Sequence, residues 1–382
     1  MTGADVIGLP DFTLLPDLAA RRLGGSVVYA NDELFAEKEN LIKAGPPAFA
    51  AGEFGHKGKV YDGWETRRRR DPGHDHAIIR LGLPGMVRGI VVDTSFFLGN
   101  YPPQVSVEAI AADGYPSPPE LAGMRWVSLV DRSAAAGGIA NAYPVTSDRR
   151  WTHVRLSIYP DGGVARLRVH GEPVPDPAFL DGTIDLAALE NGGQLTGCSD
   201  AFYSSAANLI MPGRAASMAD GWENARRRDG GLDYAAFALA GAGLIRQVEI
   251  DTSYCVGNAP GWARLLAAAG PLIAPDAGAA LTAAPAAAAP GSSVAPDAAM
   301  LDWRELLRRT RLQPDTRHQF LVVAAQPATH VRLEVYPDGG LARLRVLGEI
   351  VPEALARLRA RYASVVPGRD SQAHPDRGPA QG

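Results

Sequence analysis

Cysteine is nearly absent. Only Cys198 and Cys255 occur in 382 residues, and neither sits in a paired metal-binding or redox spacing. That excludes a disulfide framework and fits a reducing compartment. No run of eighteen apolar residues exists to cross a membrane as a helix. The first twenty residues hold Asp5, Asp11 and Asp17 where a secretory signal would place a basic start and an apolar stretch. Charge of one sign is also scarce: the formal net charge is −4, which offers no general attraction to nucleic acid or to an anionic membrane. No nucleophile elbow, phosphate loop or dinucleotide fingerprint appears, and Gly137-Gly138 lacks the strand–helix setting such loops need. With 46% hydrophobic and 21% charged residues, the chain reads as a soluble, cytoplasmic protein that buries proper cores.

What is present is present twice. Asp62-Gly63-Trp64-Glu65-Thr66-Arg67-Arg68-Arg69-Arg70 recurs as Asp220-Gly221-Trp222-Glu223-Asn224-Ala225-Arg226-Arg227-Arg228, an offset of 158 (220 − 62). The offset still holds where Asp93-Thr94-Ser95 and Gly99-Asn100 return as Asp251-Thr252-Ser253 and Gly257-Asn258. A third block, Thr152 to Leu156 and Tyr159 to Gly163, returns as Thr329 to Leu333 and Tyr336 to Gly340, now offset by 177 (329 − 152). Three blocks in the same order mean one domain written twice. The nineteen extra residues (177 − 158) place an insertion at 274–299, nearly all Ala, Pro, Gly, Ser and Thr, which cannot bury a core. The expected layout is a first repeat over 1–172, a linker over 173–193, a second repeat over 194–362 and a disordered tail over 363–382.

The pattern predicts an all-β fold. Val248, Ile250 and Thr252 alternate with Gln247, Glu249 and Asp251, the period of a half-buried strand. Val154, Leu156 and Ile158, the turn Pro160-Asp161-Gly162-Gly163, then Ala165, Leu167 and Val169 read as a hairpin with Arg166 and Arg168 outward, repeated in the second copy. Short strands with many Gly and Pro turns point to one β-sandwich per repeat. Helix is expected only near Leu186 to Leu189, Trp303 to Arg309 and Glu353 to Arg361.

Candidate chemistry gathers in the first repeat. Arg67 to Arg70 cannot share one face of a strand, so some can line a pocket, where a guanidinium grips a carboxylate bidentately. A solvated basic loop is the competing reading. His74, Asp75 and His76 follow, able to carry protons or to begin a metal site, although no second cluster completes one. Asp93 and Asp251 end strands and can either join a binding rim or hold an Asx turn. Trp64 and Trp222 suit a core or a pocket wall, and His153 and His330 a structural place.

These residues resemble the allantoicase family. Leu18 through Leu23-Gly24-Gly25, Glu39-Asn40-Leu41, the Asp62 to Arg70 block, Gly73-His74-Asp75, Ile78 to Gly82, Asp93-Thr94 and Gly99-Asn100-Tyr101-Pro102 are similar to its first repeat. Met218 to Glu223 and Ile250-Asp251-Thr252 are similar to its second. The resemblance implies two tandem jelly-roll domains of the galactose-binding-like kind. It further implies hydrolysis of allantoate to ureidoglycolate and urea in purine breakdown, and a homo-oligomer. Allantoate would be the partner, with neither nucleic acid nor membrane involved. The family usually shows an aromatic where this chain has His76, which weakens His76 as an essential group; Ala225 opposite Arg67 likewise weakens the second copy. The site expected on these grounds has Glu65, His74, Asp75 and Asp93 as proton carriers, with Arg68, Arg69, Arg70, Trp64 and Arg226 as substrate contacts. No motif requires a cofactor, and the pattern leaves a divalent metal open. The alternatives are a hydrolase of another ureido or guanidino acid, and a non-catalytic tandem binding module.

Overall fold

The computed structural model describes residues 9–49, 52, 54–55, 58–271, 293–294, 301–323 and 326–366. It divides into two units, one ending at Val174 and the other running from Pro175 to Tyr362. Each is a jelly-roll β-sandwich. Among the described residues no helix is long and apolar enough to cross a membrane.

The first unit is built on one long strand, Asp75–Asp93. Its first part pairs with strand Arg150–Tyr159, from Asp75 opposite Ile158 to Arg80 opposite His153. Its last part pairs with Arg166–Pro173, from Asp93 opposite Arg166 to Gly85 opposite Pro173, and with Ala140–Pro144. The ladder skips between Arg80 and Gly85, where the sequence is Leu81-Gly82-Leu83-Pro84-Gly85. A Cβ on Gly85 would stand 2.2 Å from the Glu172 carbonyl oxygen, so only glycine allows the paired strands to approach there. The strand thus turns from one sheet into the other, and both its ends reach the same end of the sandwich. The second unit does the same with Asp233–Asp251, whose ladder skips from Ala238 to Gly243.

One sheet of the first unit orders its strands as Ser26–Ala30, the start of the long strand, Arg150–Tyr159, Gln104–Ile110 and Val127–Ala134. Ala77, Ile79, Leu81, Val105, Val107, Val154, Leu156 and Ile158 face the other sheet and are buried, as a period of two requires. The outer face is closed at one end by Pro118–Ala122, whose Leu121 packs on Ile78, Ile110 and Ala112 with Val28, Met124 and Trp126. At the other end that face stays polar.

Several expectations need correction. Arg150–Tyr159 and Arg166–Pro173 are not a hairpin, for each pairs with a different part of the long strand and the 160–165 turn crosses between the sheets. Arg166 does not point outward. It is 2% exposed and donates to the Asp62 carboxylate at 2.6 Å and to the carbonyls of Asp62 and Gly45. Arg343 likewise reaches the carbonyls of Asp220 and Gly213. The expected linker, 173–193, is structured: Pro173 ends a strand, Thr183–Asp185 pairs with residues 347–349, and Leu186, Ala187, Ala188 and Leu189 are buried. The helix expected near Trp303 to Arg309 is the strand Arg304–Arg311. Irregular register against Trp262–Ala268 breaks its alternation, leaving Trp303, Leu306, Leu307 and Thr310 half-buried at helix-like spacing. Near Leu186 to Leu189 there is only the 3-10 turn Leu189–Asn191, whereas the expected last helix forms as Pro352–Val365 and extends into the supposed tail. The insertion, 274–299, lies outside the described residues except Ser293–Val294, which pairs with Gly197 and Cys198. The tail from 367 onward also lies outside them.

The buried Arg166 carries a prediction. Burial works to raise the Asp62 carboxyl, but hydrogen bonds from Arg166, Lys43 and the Ala48 amide outweigh it and hold the group at about 2. This contribution to stability is full above the ordinary value of 3.8 and is lost as pH falls through about 2. Arg166→Met should cost about 3–5 kcal/mol in urea unfolding and move the Asp62 titration up. A loss under about 1 kcal/mol would mark a surface-type pair.

Candidate functional site

The polar rim is assembled by the ends of the two sheets. The segment after Ala30, the run 61–74, the loop after Asp93 and the 159–165 turn all emerge there. Trp64 and Glu65 pair with Val164 and Gly163, and the Thr66 amide donates to the Gly162 carbonyl. Gly162 has φ +142, and a Cβ there would meet the Asn100 carbonyl oxygen at 2.8 Å, so the turn needs glycine.

The four consecutive arginines lie in the irregular run after strand Trp64–Glu65, and their side chains part company. Arg67 is exposed and pairs with Asp32. Arg68 and Arg70 are exposed, with no ion-pair partner among the described residues. Arg69 turns inward: its amide donates to Asp161 Oδ2 at 2.8 Å, and its guanidinium donates to Asp75 Oδ1 at 2.7 Å. Asn31 Nδ2 donates to the same Asp75 oxygen at 2.9 Å. Asp75 is 1% exposed, and its Oδ2 has no partner among the described residues. Gly73 closes over this pair at φ +140, where a Cβ would stand 2.8 Å from Arg69 Nη2.

In front of that buried pair lie two imidazoles. His74 is exposed, with its ring 4.8 Å from the Tyr159 ring and 6.0 Å from His76. His76 also meets Tyr29 at 5.5 Å. His76 is level with Ser157, and Ser157 with Ser106, across three adjacent strands. Both serines are buried and form the floor, and Ser106 Oγ lies 3.0 Å from the Tyr159 hydroxyl. Arg132 lies over the Tyr159 ring at 4.2 Å and donates to Gln104. Arg155 is paired with Glu108 at 2.6 Å. Partial burial lowers the His74 pKa, the positive charges of Arg155 and Arg69 lower it further, and Asp75 and Glu108 oppose them. His76 is lowered by burial, Arg155 and His74. Both shifts favour the neutral ring, the form that can accept a proton.

Other expected site residues are placed elsewhere. Trp64 is fully buried in the core and its indole N–H donates to the Asp32 carbonyl at 2.7 Å. Glu65 accepts from Asn100 at 2.6 Å, and burial raises its carboxyl pKa against that bond. Asp93 ends the long strand in the opposite sheet and accepts from the Ser95 amide at 2.8 Å, an Asx turn. Arg226 is exposed, again with no ion-pair partner among the described residues. His153 and His330 are buried as expected. No three His, Cys, Asp or Glu side chains among the described residues converge as a metal cluster. Sequence reasoning missed Arg132, Tyr159, Ser106 and Ser157. Their signal was the polar residue interleaved with Val154, Leu156 and Ile158, and an Arg–Tyr pair that recurs as Arg309 and Tyr336.

The second unit repeats the scaffold of this site and drops its imidazoles. Arg227 donates to Asp233 at 2.7 Å and its amide to Asp338. Asn258 holds Glu223, the Trp222 indole donates to the Asp200 carbonyl, and Asp251 caps Ser253. Leu232 and Tyr234 stand where His74 and His76 stand.

Comparison with known proteins agrees on one family. A family model described as "Allantoicase repeat" matches residues 16–174 and 184–351. A "Probable allantoicase" of Nocardia farcinica is 52% identical over 91% of this chain and 98% of its own length. One from Streptomyces avermitilis is 47% identical over 92% and 90%. The crystal structure of allantoicase from Saccharomyces cerevisiae is 31% identical, with a TM-score of 0.70 over 87% of this chain and 92% of that one.

The environment of His74 sets a test. Its ring protons, followed by NMR, should titrate with a midpoint below 6.5, and Arg155→Gln should move that midpoint up. A midpoint at or above 6.5 in the unaltered protein would contradict the electrostatics described here.

Proposed function

The chain belongs to the allantoicase family, and from that premise we propose that it hydrolyses allantoate to ureidoglycolate and urea on the outer sheet face of its first unit. The location rests on one observation: among the described residues, only the first unit places two imidazoles, His74 and His76, beside an arginine–tyrosine pair.

Allantoate carries a carboxylate and two ureido groups on one carbon. One C–N bond must break, its electron pair leaving with the urea nitrogen, while the other ureido nitrogen's lone pair supports the carbon. Water adds to that carbon and loses a proton, and the departing nitrogen gains one. A neutral His74 that takes the proton from water and hands it to that nitrogen balances the reaction and ends as it began. Exposed guanidiniums, Arg68, Arg70 and Arg132, bind the carboxylate and orient the carbon. Asp75 is 1% exposed and held by Arg69. It is a positioning residue that fixes Arg69, and through the 69–75 segment it sets the place of His74. Glu65 and Asp93 have matched partners in the second unit, so the fold accounts for them. The protein is proposed to act in the cytoplasm, consistent with its two free cysteines, and as a homo-oligomer, as the family resemblance implies.

Urea release from allantoate tests the activity; no release above background would favour the binding-module reading. The rate should be flat at neutral pH and fall in acid as His74 gains its proton, with the inflection below 6.5. Arg68→Ala should lower kcat/KM about tenfold to a hundredfold, the worth of a charged contact at an open site, while Arg226→Ala should change it less than about threefold. The reverse ranking would place the chemistry in the second unit.

A further inference from the structure

The second unit holds a cavity of about 580 Å³ lined by Gly230, Gly231, Leu232, Trp262, Arg309 and Tyr336. It stands where the first unit has Gly73, His74, Gln104, Arg132 and Tyr159. We propose that this cavity is a second, non-catalytic site that binds a small carboxylate bearing a flat amide or ureido group.

The charge balance of the walls favours an anion. Arg309 lies over the Tyr336 ring at 4.3 Å and beside the Trp262 ring at 5.5 Å, with no hydrogen-bond or ion-pair partner among the described residues. Arg311 lies 5.8 Å from the same Trp262 ring. Three neighbouring carboxylates are already ion-paired, and Asp338 accepts the Arg227 amide. Glu334 faces Arg264, Arg332 and the Tyr336 hydroxyl; Glu305 faces Arg264; Asp229 faces Arg227. What remains unspent is guanidinium charge held by two aromatic rings, in a volume typical of small-molecule sites.

Shape selects a flat ligand. Trp262 is 38% exposed and presents an aromatic surface, and Gly230-Gly231 line the same cavity without side chains. A planar group can lie against the indole while its carboxylate meets the Arg309 fork. Chemistry is absent because Leu232 replaces the imidazole of His74 and Tyr336 already donates to Glu334, so no group lining the cavity accepts a proton at neutral pH.

The choice of probe rests on the reaction proposed above. N-carbamoylglycine has the carboxylate and one ureido group but lacks the second nitrogen whose lone pair would expel urea, so it binds without turnover. Calorimetric titration of the full chain with N-carbamoylglycine should give two sites per chain. Arg309→Gln and, separately, Trp262→Leu should each weaken one of them at least tenfold, with kcat/KM on allantoate within twofold of the parent. Arg132→Gln should remove the other site and lower turnover. Loss of a site in Arg309→Gln while Arg132→Gln keeps full turnover would sustain this proposal and sink the first-unit assignment. The proposal is overturned if the parent binds a single equivalent that Arg309→Gln and Trp262→Leu both retain, or if the uncharged N-carbamoylglycinamide binds the second site as well as the acid does.

Discussion

Each unit depends on a strand that serves two sheets. In the first, Asp75–Asp93 must leave one ladder after Arg80 and join another by Gly85, which glycine and proline permit and a Cβ at Gly85 would forbid. Because the strand doubles back, its two ends meet at one rim. Asp75 can then anchor Arg69 on one side while Asp93 shapes the opposing loop. Loop residues far apart in the chain gain fixed places from this bend, and a binding rim on rigid strands follows.

Duplication separates scaffold from chemistry within a single molecule. Arg69–Asp75 and Arg227–Asp233 share one geometry, as do Glu65–Asn100 and Glu223–Asn258, and as do the buried Trp64 and Trp222. These shared buried pairs answer to the fold, which each copy must build for itself. The differences cluster on one face: His74 against Leu232, His76 against Tyr234, Ser157 against Glu334, Gln104 against Trp262. The first face keeps proton acceptors and hydroxyls. The second closes its acids with arginines and offers an aromatic wall.

The sequence made the duplication, the all-β class and the importance of the 62–76 region legible, because each is a matter of order and period along the chain. Pairing partners were not legible. Alternating runs around Asp161-Gly162 announce two strands and a turn, yet nothing local says that the strands enter different sheets. The Pro- and Gly-dotted run 173–193 looked like a linker, although Leu186 and Leu189 are buried. The arginine run drew attention to its own length, when the structure turns only Arg69 inward and brings Arg132 and Tyr159 from other strands. Side-chain neighbours across a sheet are a tertiary fact, visible in sequence only as polar residues interleaved among apolar ones.

The central claim is that the first unit carries the reaction because it carries His74. Exchange of the matched residues tests it directly: His74→Leu gives the first unit the second's residue, and Leu232→His does the converse. Measured as kcat/KM for urea release from allantoate, His74→Leu should lose about a hundredfold or more, the worth of a general base, with an unchanged Tm. Leu232→His should leave the rate as it was. Full activity in His74→Leu would contradict the account and move the proton transfer to another group.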